Sequence, residues 1–368
     1  MTIAGARASA ALFDPLRLRL ARHYNGMRKV DLAKHVGLTP SAVTQLENGL
    51  SKPTAAHLTQ LALALGFPVD FFAKDGRRED VSDHGCAFFR SLRATRQIDR
   101  DRAEAQAFFV REIVGEVERR VRLPAVDIPS NLHISQWASR EDIERCAEQL
   151  RALWTVPAGP IASVVRLLEA HGTVVTHCTI ECRHVSSFSR WFNGRPVVVL
   201  SAARSDLPRL RSDAAHELGH LVLHAEVDPG NQILERQAQA FAASFLLPQR
   251  EIVALLPKSF DIERYGKLKR TWGVSIQALL YRAREVNRMS EATYRRAMML
   301  LSQKGWRTNE PFPISGHEDV SILPRSLELL RQHGYDAATL ARDTHLPLDF
   351  VSQIVASPAD DRPELVLS

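Results

Sequence analysis

The sequence predicts a mainly α protein with a small β-sheet: an N-terminal all-α helix-turn-helix bundle, an α+β domain, and a helical C-terminal region. Three observations carry this. Residues 14–73 read as short amphipathic helices punctuated by Gly and Pro turns. Between residues 130 and 225, helical stripes alternate with the Val-rich stretches "TVVTHCTI" and "RPVVVLSA", which have strand character. Further on, "NQILERQAQAFAASFLLP" and residues 339–354 return to helical spacing. The expected divisions are 1–75 for the helix-turn-helix domain and 76–129 for a linker with a charged helix. Residues 130–310 then form the α+β domain, and 311–368 the C-terminal region.

Composition narrows the functional class. A chain of 368 residues exceeds one typical domain. Its four cysteines, at 86, 146, 178 and 182, are too few for a disulfide framework and fit a reducing cytoplasm. No signal peptide and no membrane span are expected, because no long uncharged apolar run occurs. Residues 1–75 hold nine Lys/Arg against five Asp/Glu, so most of the +6 formal charge is N-terminal, where it permits an anionic partner.

In the first element, "RKVDLAKHVGLTPSAVTQLENG" predicts a helix, a turn at Gly37, and a second helix capped by Thr39 with Pro40 in its first turn. Leu32, Ala33, Val36, Leu38, Val43 and Leu46 are spaced to share one core. Such a unit presents the N-terminal face of its second helix to a major groove of double-stranded DNA. Ser41, Ala42 and Gln45 are the expected groove-facing positions beside the cap Thr39, while Arg28, Thr44, Asn48 and Lys52 can reach phosphates. The segment "DLAKHVGLTPSAVTQLENGLSKP" with the closing "LALALGFPVDFF" resembles the XRE, or Cro/repressor-type, helix-turn-helix family. Pro40 stands where many members carry glutamine. The resemblance implies DNA binding, normally as a homodimer; the alternative is a helical bundle used for protein contact.

The connection begins with the polar "KDGRREDVSDHG" and continues as a charged helical stretch ending at Pro124. Its stripe of Phe108, Val110, Ile113, Val114, Val117 and Val121 is broad enough to pack on something, and the helix reads as a spacer, a dimer contact, or both.

The chemistry lies in "RSDAAHELGHLVLHAE", residues 211–226. Residues 208–225 read as one helix, so His216 and His220 project from one face a turn apart, the arrangement that grips a Zn²⁺ at about 2 Å. Glu217, beside them, can take a proton from a water and pass it to a leaving amine. His224 is eight residues from His216, roughly 12 Å along a straight helix at 1.5 Å per residue, too far to share that ion. Proteases with a third His here place a Gly before it to turn the chain, whereas Leu-Val-Leu continues the helix. A third ligand is therefore sought elsewhere. Glu235 shares a helix face with Ala238, Phe241, Ala242 and Phe245, and the small alanines permit close packing on the first helix. Glu226 and Asp228 are weaker candidates.

The run "RPVVVLSAARSDLPRLRSDAAHELGHLVLH" followed by "ERQAQAFAASFLLP" resembles the ImmA/IrrE family of zinc metallo-endopeptidases. That resemblance implies a zincin-like fold, zinc ligation by His216, His220 and Glu235, and a catalytic role for Glu217. Gln237 and Gln239 replace residues often Glu and Asn in relatives. Members of the family cleave or relieve repressors, often of the XRE type, under stress or phage induction. The implied function is a cytoplasmic transcriptional regulator whose peptidase domain cuts a repressor, a partner or itself. The alternative is a transcription factor or antitoxin whose metallopeptidase-like domain senses a metal, peptide or partner, such as a toxin, without proteolysis.

Two further patterns deserve mention. His177, Cys178, Cys182 and His184 suggest a second metal site only weakly, because adjacent strand residues point to opposite faces. "TLARDTHLPLDFVSQI", 339–354, aligns without a gap on residues 31–46, with His345 in the place of Gly37. It is expected to be a degenerate helix-turn-helix used for packing or dimer contact. Tyr265, Tyr281 and Arg211 are candidate oxyanion stabilisers.

Overall fold

A computed structural model of the chain describes residues 3–73, 88–89, 96–179, 187–201, 206–224 and 231–356. Helices dominate, as expected, around one small sheet. Among the described residues no helix is long and apolar enough to cross a membrane.

The N-terminal module contains α1 (Ile3–Ala11), α2 (Pro15–Tyr24), α3 (Lys29–His35), α4 (Pro40–Glu47) and α5 (Ala55–Leu65), closed by a 3₁₀ turn, Val69–Phe72. Local chemistry sets the boundaries. Asp14, Thr39 and Thr54 accept backbone N–H bonds at the starts of α2, α4 and α5. Gly37, between α3 and α4, has φ 65°, a left-handed turn that glycine makes without strain. Leu32, Ala33, Val36, Val43 and Leu46 are buried together. The α4 helix is pinned to α2 by a buried pair: Arg22 Nε and Nη2 donate to the two Glu47 oxygens at 2.5 and 3.0 Å.

Strand β1 (Phe88–Phe89) follows, then α6 (Gln97–Glu118), α7 (Arg140–Leu153), α8 (Val164–Ala170), β2 (Val174–His177), β3 (Phe188–Phe192) and β4 (Arg195–Leu200). The sheet order is β1-β3-β4-β2, with β2 parallel to β4 and the other pairs antiparallel. The β3–β4 hairpin turns on Asn193-Gly194, both at positive φ, as a tight primed turn requires. Side chains alternate across the sheet. Val174, Phe188, Val197 and Val199 join the core under the N-terminal module, whereas Val175, Val198 and Leu200 join a second core. A sheet covered on both faces explains why β4 reads as unbroken valines.

The charged helix α6 is a core element. Its apolar stripe packs against the N-terminal module, one face of the sheet and the C-terminal helices. Its charges are absorbed by distant partners: Glu112 pairs with Arg17 and Glu118 with Arg195, while Arg120, just past its end, pairs with Asp343. Gln106, fully buried, donates from Nε2 to the His177 carbonyl at 3.1 Å.

The second core is built on α9 (Leu207–Leu223) and α10 (Gln232–Leu246), with α7, α8 and the short α11 (Gln249–Ile252) around them. Then come α12 (Ile262–Trp272), α13 (Ile276–Glu285) and α14 (Glu291–Gln303), and finally α15 (Ile322–Arg331), α16 (Ala337–Thr344) and α17 (Leu348–Val355). Carboxylates far away in sequence cap several of these helices. Glu310 accepts from Ile276 and Gln277 N–H at the start of α13, and Glu318 from Val164 and Val165 at the start of α8. Glu169 accepts from Ser321 and Ile322 at the start of α15. The sequence echo takes a concrete form in α16 and α17, which meet at His345 with φ 54°. Phe350 there lies against Tyr24 and Phe109, with ring centroids 5.5 and 5.7 Å apart, so this position packs inward.

Candidate metal centre and DNA-reading face

Helix α9 lies under the sheet with His216, Glu217 and His220 all buried. Helix α10 crosses close to it because both lines of contact are small. A Cβ added at Gly219 would stand 3.1 Å from Ala238 Cα and 3.2 Å from its carbonyl oxygen. This proximity delivers Glu235. His216 Nε2 and His220 Nε2 are 3.2 Å apart, and the Glu235 oxygens lie 3.3 Å from the first and 3.4 Å from the second.

Those separations test whether an ion fits. Tetrahedral ligands with bonds of about 2.0–2.1 Å stand about 3.3 Å from one another. The two imidazole nitrogens stand at such an edge and each has a different Glu235 oxygen at a similar distance, so the three side chains converge closely enough to offer one ligand atom each to a single ion. Two imidazole nitrogens and a carboxylate aimed at one buried point also repel unless a cation or protons sit between them. Burial pushes the Glu235 carboxyl up, but hydrogen bonds and charge from His216 and His220 prevail and bring it down to about 2. Among the described residues this is the one group of three His, Cys, Asp or Glu side chains able to hold a metal ion.

His224 lies outside the trio. It ends α9 and faces the other nitrogen of His220, Nδ1 to Nδ1 at 3.2 Å, while its Nε2 meets Gln237 Oε1 at 3.0 Å. Gln237 in turn donates to the Ser135 carbonyl at 2.9 Å. Burial, aided by the His220 charge, pushes the His224 pKa down to about 4, so its ring stays neutral near pH 7. The chain His220–His224–Gln237 fixes which nitrogen His220 turns toward the donor cluster.

Glu217 has a partner that sequence reasoning missed. Ser189 Oγ, on β3, donates to Glu217 Oε2 at 2.8 Å, with both residues fully buried. A lone serine in a strand carries no signal; only the strand alternation that turns Ser189 away from the Phe188 side could have found it.

Several sequence candidates are engaged elsewhere. Arg211 is held by Glu318 at 2.7 Å and by the Ile161 and Ala162 carbonyls, and Tyr265 donates to the Pro257 carbonyl at 3.3 Å. Tyr281 interacts with Glu285 and Arg140, and its phenol is raised by burial. Cys178 Sγ lies 3.3 Å from Gln106 Oε1. Glu226, Asp228, Cys182 and His184 fall outside the described residues.

On the N-terminal module, Ser41, Gln45 and Asn48 are exposed along α4, and Ala42 is half-buried. The Thr39 hydroxyl accepts from Ala42 N–H as the cap, and the Thr44 hydroxyl donates back to the Pro40 carbonyl. Exposed Arg28 is paired with Asp31 at 2.8 Å. Lys52 Nζ donates to the Ala11 carbonyl at 2.6 Å, so this candidate phosphate contact is already engaged within the chain.

Comparison with known proteins matches each half of this arrangement. The helix-turn-helix family profile covers residues 18–72, from α2 through the 3₁₀ turn. The profile of the IrrE N-terminal-like domain, a peptidase family, covers residues 168–284, which includes the sheet strands β2–β4 and both helices of the donor cluster. No curated protein matches the chain.

Proposed function

We propose that this chain, an XRE-type helix-turn-helix module fused to an IrrE-like peptidase domain, is a DNA-binding transcriptional regulator. In this reading it carries a zinc-dependent endopeptidase that cuts a repressor, a partner or itself in a stress, phage or mobile-element response. Residues 1–75 are the DNA-binding domain and 130–310 the peptidase domain, acting in the cytoplasm as a homodimer on double-stranded operator DNA.

The observation that carries the proposal is the convergence of His216, His220 and Glu235 into one cluster of possible metal ligands, with Glu217 next to His216 on the same helix. His216, His220 and Glu235 would hold Zn²⁺, which supplies Lewis acidity toward a peptide carbonyl and a water. Glu217 accepts the proton that the attacking water loses and returns it to the departing amine. Ser189 holds one carboxylate oxygen of Glu217 and so fixes its rotamer. Burial of His216, His220 and Glu217 lowers the local dielectric, which strengthens each of these interactions.

A second reading, a sensor or antitoxin that binds a metal, peptide or toxin without turnover, is favoured by one detail: Glu217 is wholly buried and already hydrogen-bonded. Zinc analysis of purified protein, joined to a cleavage assay on repressors encoded nearby, separates the two. Glu217→Gln should keep zinc and lose cleavage, and His216→Ala should lose both. Wild type that holds no metal after chelator-free purification sinks the peptidase reading.

A further inference from the structure

The sheet has one edge next to Glu217, and that edge is not empty. Strand β3 carries Ser189, whose hydroxyl is bonded to Glu217, and the strand pairs with β4 on its other side. Without β1, the outer rim of β3 would present unpaired N–H and C=O groups within one strand spacing of the Glu217 partner. Such an edge is a template for any extended peptide. In this chain Phe88–Phe89 lies there, antiparallel, with Phe88 opposite Ser189 and Phe89 opposite Phe188.

The connection from the N-terminal module to α6 contains Phe88–Phe89. It joins Ala73 to Gln97, yet the units on either side already touch: the Phe71 and Phe109 rings are 5.6 Å apart, and Arg102 Nε donates to the Tyr24 carbonyl at 3.2 Å. Two dozen residues can span roughly 80 Å when extended. That reach is enough for Phe88–Phe89 to pair with β3 while α6 stays against the module.

The geometry points to Phe88–Phe89 as an autoinhibitory strand, occupying in cis the outer β3 edge along which a substrate peptide would pair. The inference rests on the peptidase-domain reading, because it takes the Glu217 cleft as a place where peptides bind. Any peptide from another protein must displace this built-in strand before it can pair with β3. The segment is therefore a built-in competitor for substrate.

The test reads binding and not turnover. Full-length, zinc-loaded Glu217→Gln protein is titrated with a labelled synthetic peptide of residues 84–93. The titration is repeated with Phe88→Pro and Phe89→Pro added, which remove ladder N–H donors from the built-in strand. The released edge should bind the peptide at least about tenfold more tightly and show slowed amide exchange at residues 187–190. Equal affinities, or protection elsewhere, overturn the proposal. Native protein gives a measurement independent of any variant: slow exchange at residues 88–89 supports the pairing, and exchange at unstructured-chain rates overturns it. Wild type that binds the peptide but cleaves nothing sinks the peptidase reading alone, so the two failures are distinguishable.

Discussion

His345 turns the chain from α16 into α17 with φ 54°, the same left-handed conformation that Gly37 uses at φ 65° between α3 and α4. The two positions are equivalent in the gapless alignment of residues 339–354 on 31–46, so the echo extends to backbone geometry. A residue with a Cβ normally pays about 1 kcal/mol or more for this conformation. Nothing lies within 4 Å of a Cβ built at Gly37, so Gly37→Ala should destabilise by about 1 kcal/mol through the backbone alone. His345→Gly relieves strain but loosens the unfolded chain, and should change stability by less than about 1 kcal/mol. Urea midpoints at constant slope check both; a silent Gly37→Ala refutes the strain argument.

What could be read from sequence was local. His216 and His220 follow from helix pitch, and the face that Glu235 shares with Ala238 and Phe241 follows from the same period. The role of α6 was not legible. Its charge and apolar stripe suggested a spacer, a dimer contact or both, and the partners that absorb that charge, Arg17, Arg195 and Asp343, lie 77 to 223 residues away. For the same reason the helix caps supplied by Glu310, Glu318 and Glu169 left no trace in the sequence. Each joins residues brought together only by tertiary packing.

Close approach of α9 and α10 sets the donor cluster, so it should be sensitive to bulk at the crossing. Gly219→Val places atoms where Ala238 and the Phe241 ring stand, both within about 3.2 Å of the new Cβ. Helix α10 must move, carrying Glu235 with it. Zinc affinity should fall by about 10- to 100-fold, the range seen when support around metal ligands is lost. Competition with a chromophoric chelator measures this; unchanged affinity would mean the crossing does not position Glu235.

His224→Ala tests the support differently. It leaves all three donor residues in place and removes the group facing His220 Nδ1. One zinc per chain should still bind, more weakly than in wild type. Complete loss of stoichiometric zinc would make His224 a ligand, against the geometry.

Acid should attack the fold through Glu144. Both its oxygens accept from Arg282 Nη2, at 2.6 and 2.7 Å, and Arg282 is fully buried. Burial pushes the Glu144 carboxyl up, but the Arg282 hydrogen bonds and charge outweigh it and hold the pKa below its usual 4.5. A carboxyl depressed in the folded state stabilises above its unfolded pKa, and that contribution is lost as pH falls through the folded value. This contribution should therefore stay level from pH 7 to about 5 and fall below about 4.5. Glu144→Gln leaves Arg282 under-compensated in the interior, at a cost of about 3–5 kcal/mol at pH 7. It should also flatten the acid limb of stability measured against pH. An unaltered acid limb would locate that sensitivity in other carboxylates.

DNA recognition should divide by residue. The measurement requires the whole chain, because the Phe67 and Phe71 rings of the N-terminal module pack on Phe109 of α6 and a truncated module would expose them. Affinity for operator DNA should fall steeply with salt as counterions are released. Gln45, exposed on α4, is placed to read a base edge, so Gln45→Ala should cost about 1–3 kcal/mol on the operator and little on unrelated DNA. Arg28→Ala should weaken all sequences alike and lower the salt slope by about one ion, less whatever Asp31 already neutralises. Lys52 is the discriminating case. Its ammonium is spent on the Ala11 carbonyl, so Lys52→Ala should change the salt slope less than Arg28→Ala does. A larger slope change at Lys52 would show that the ammonium leaves Ala11 for a phosphate when DNA binds.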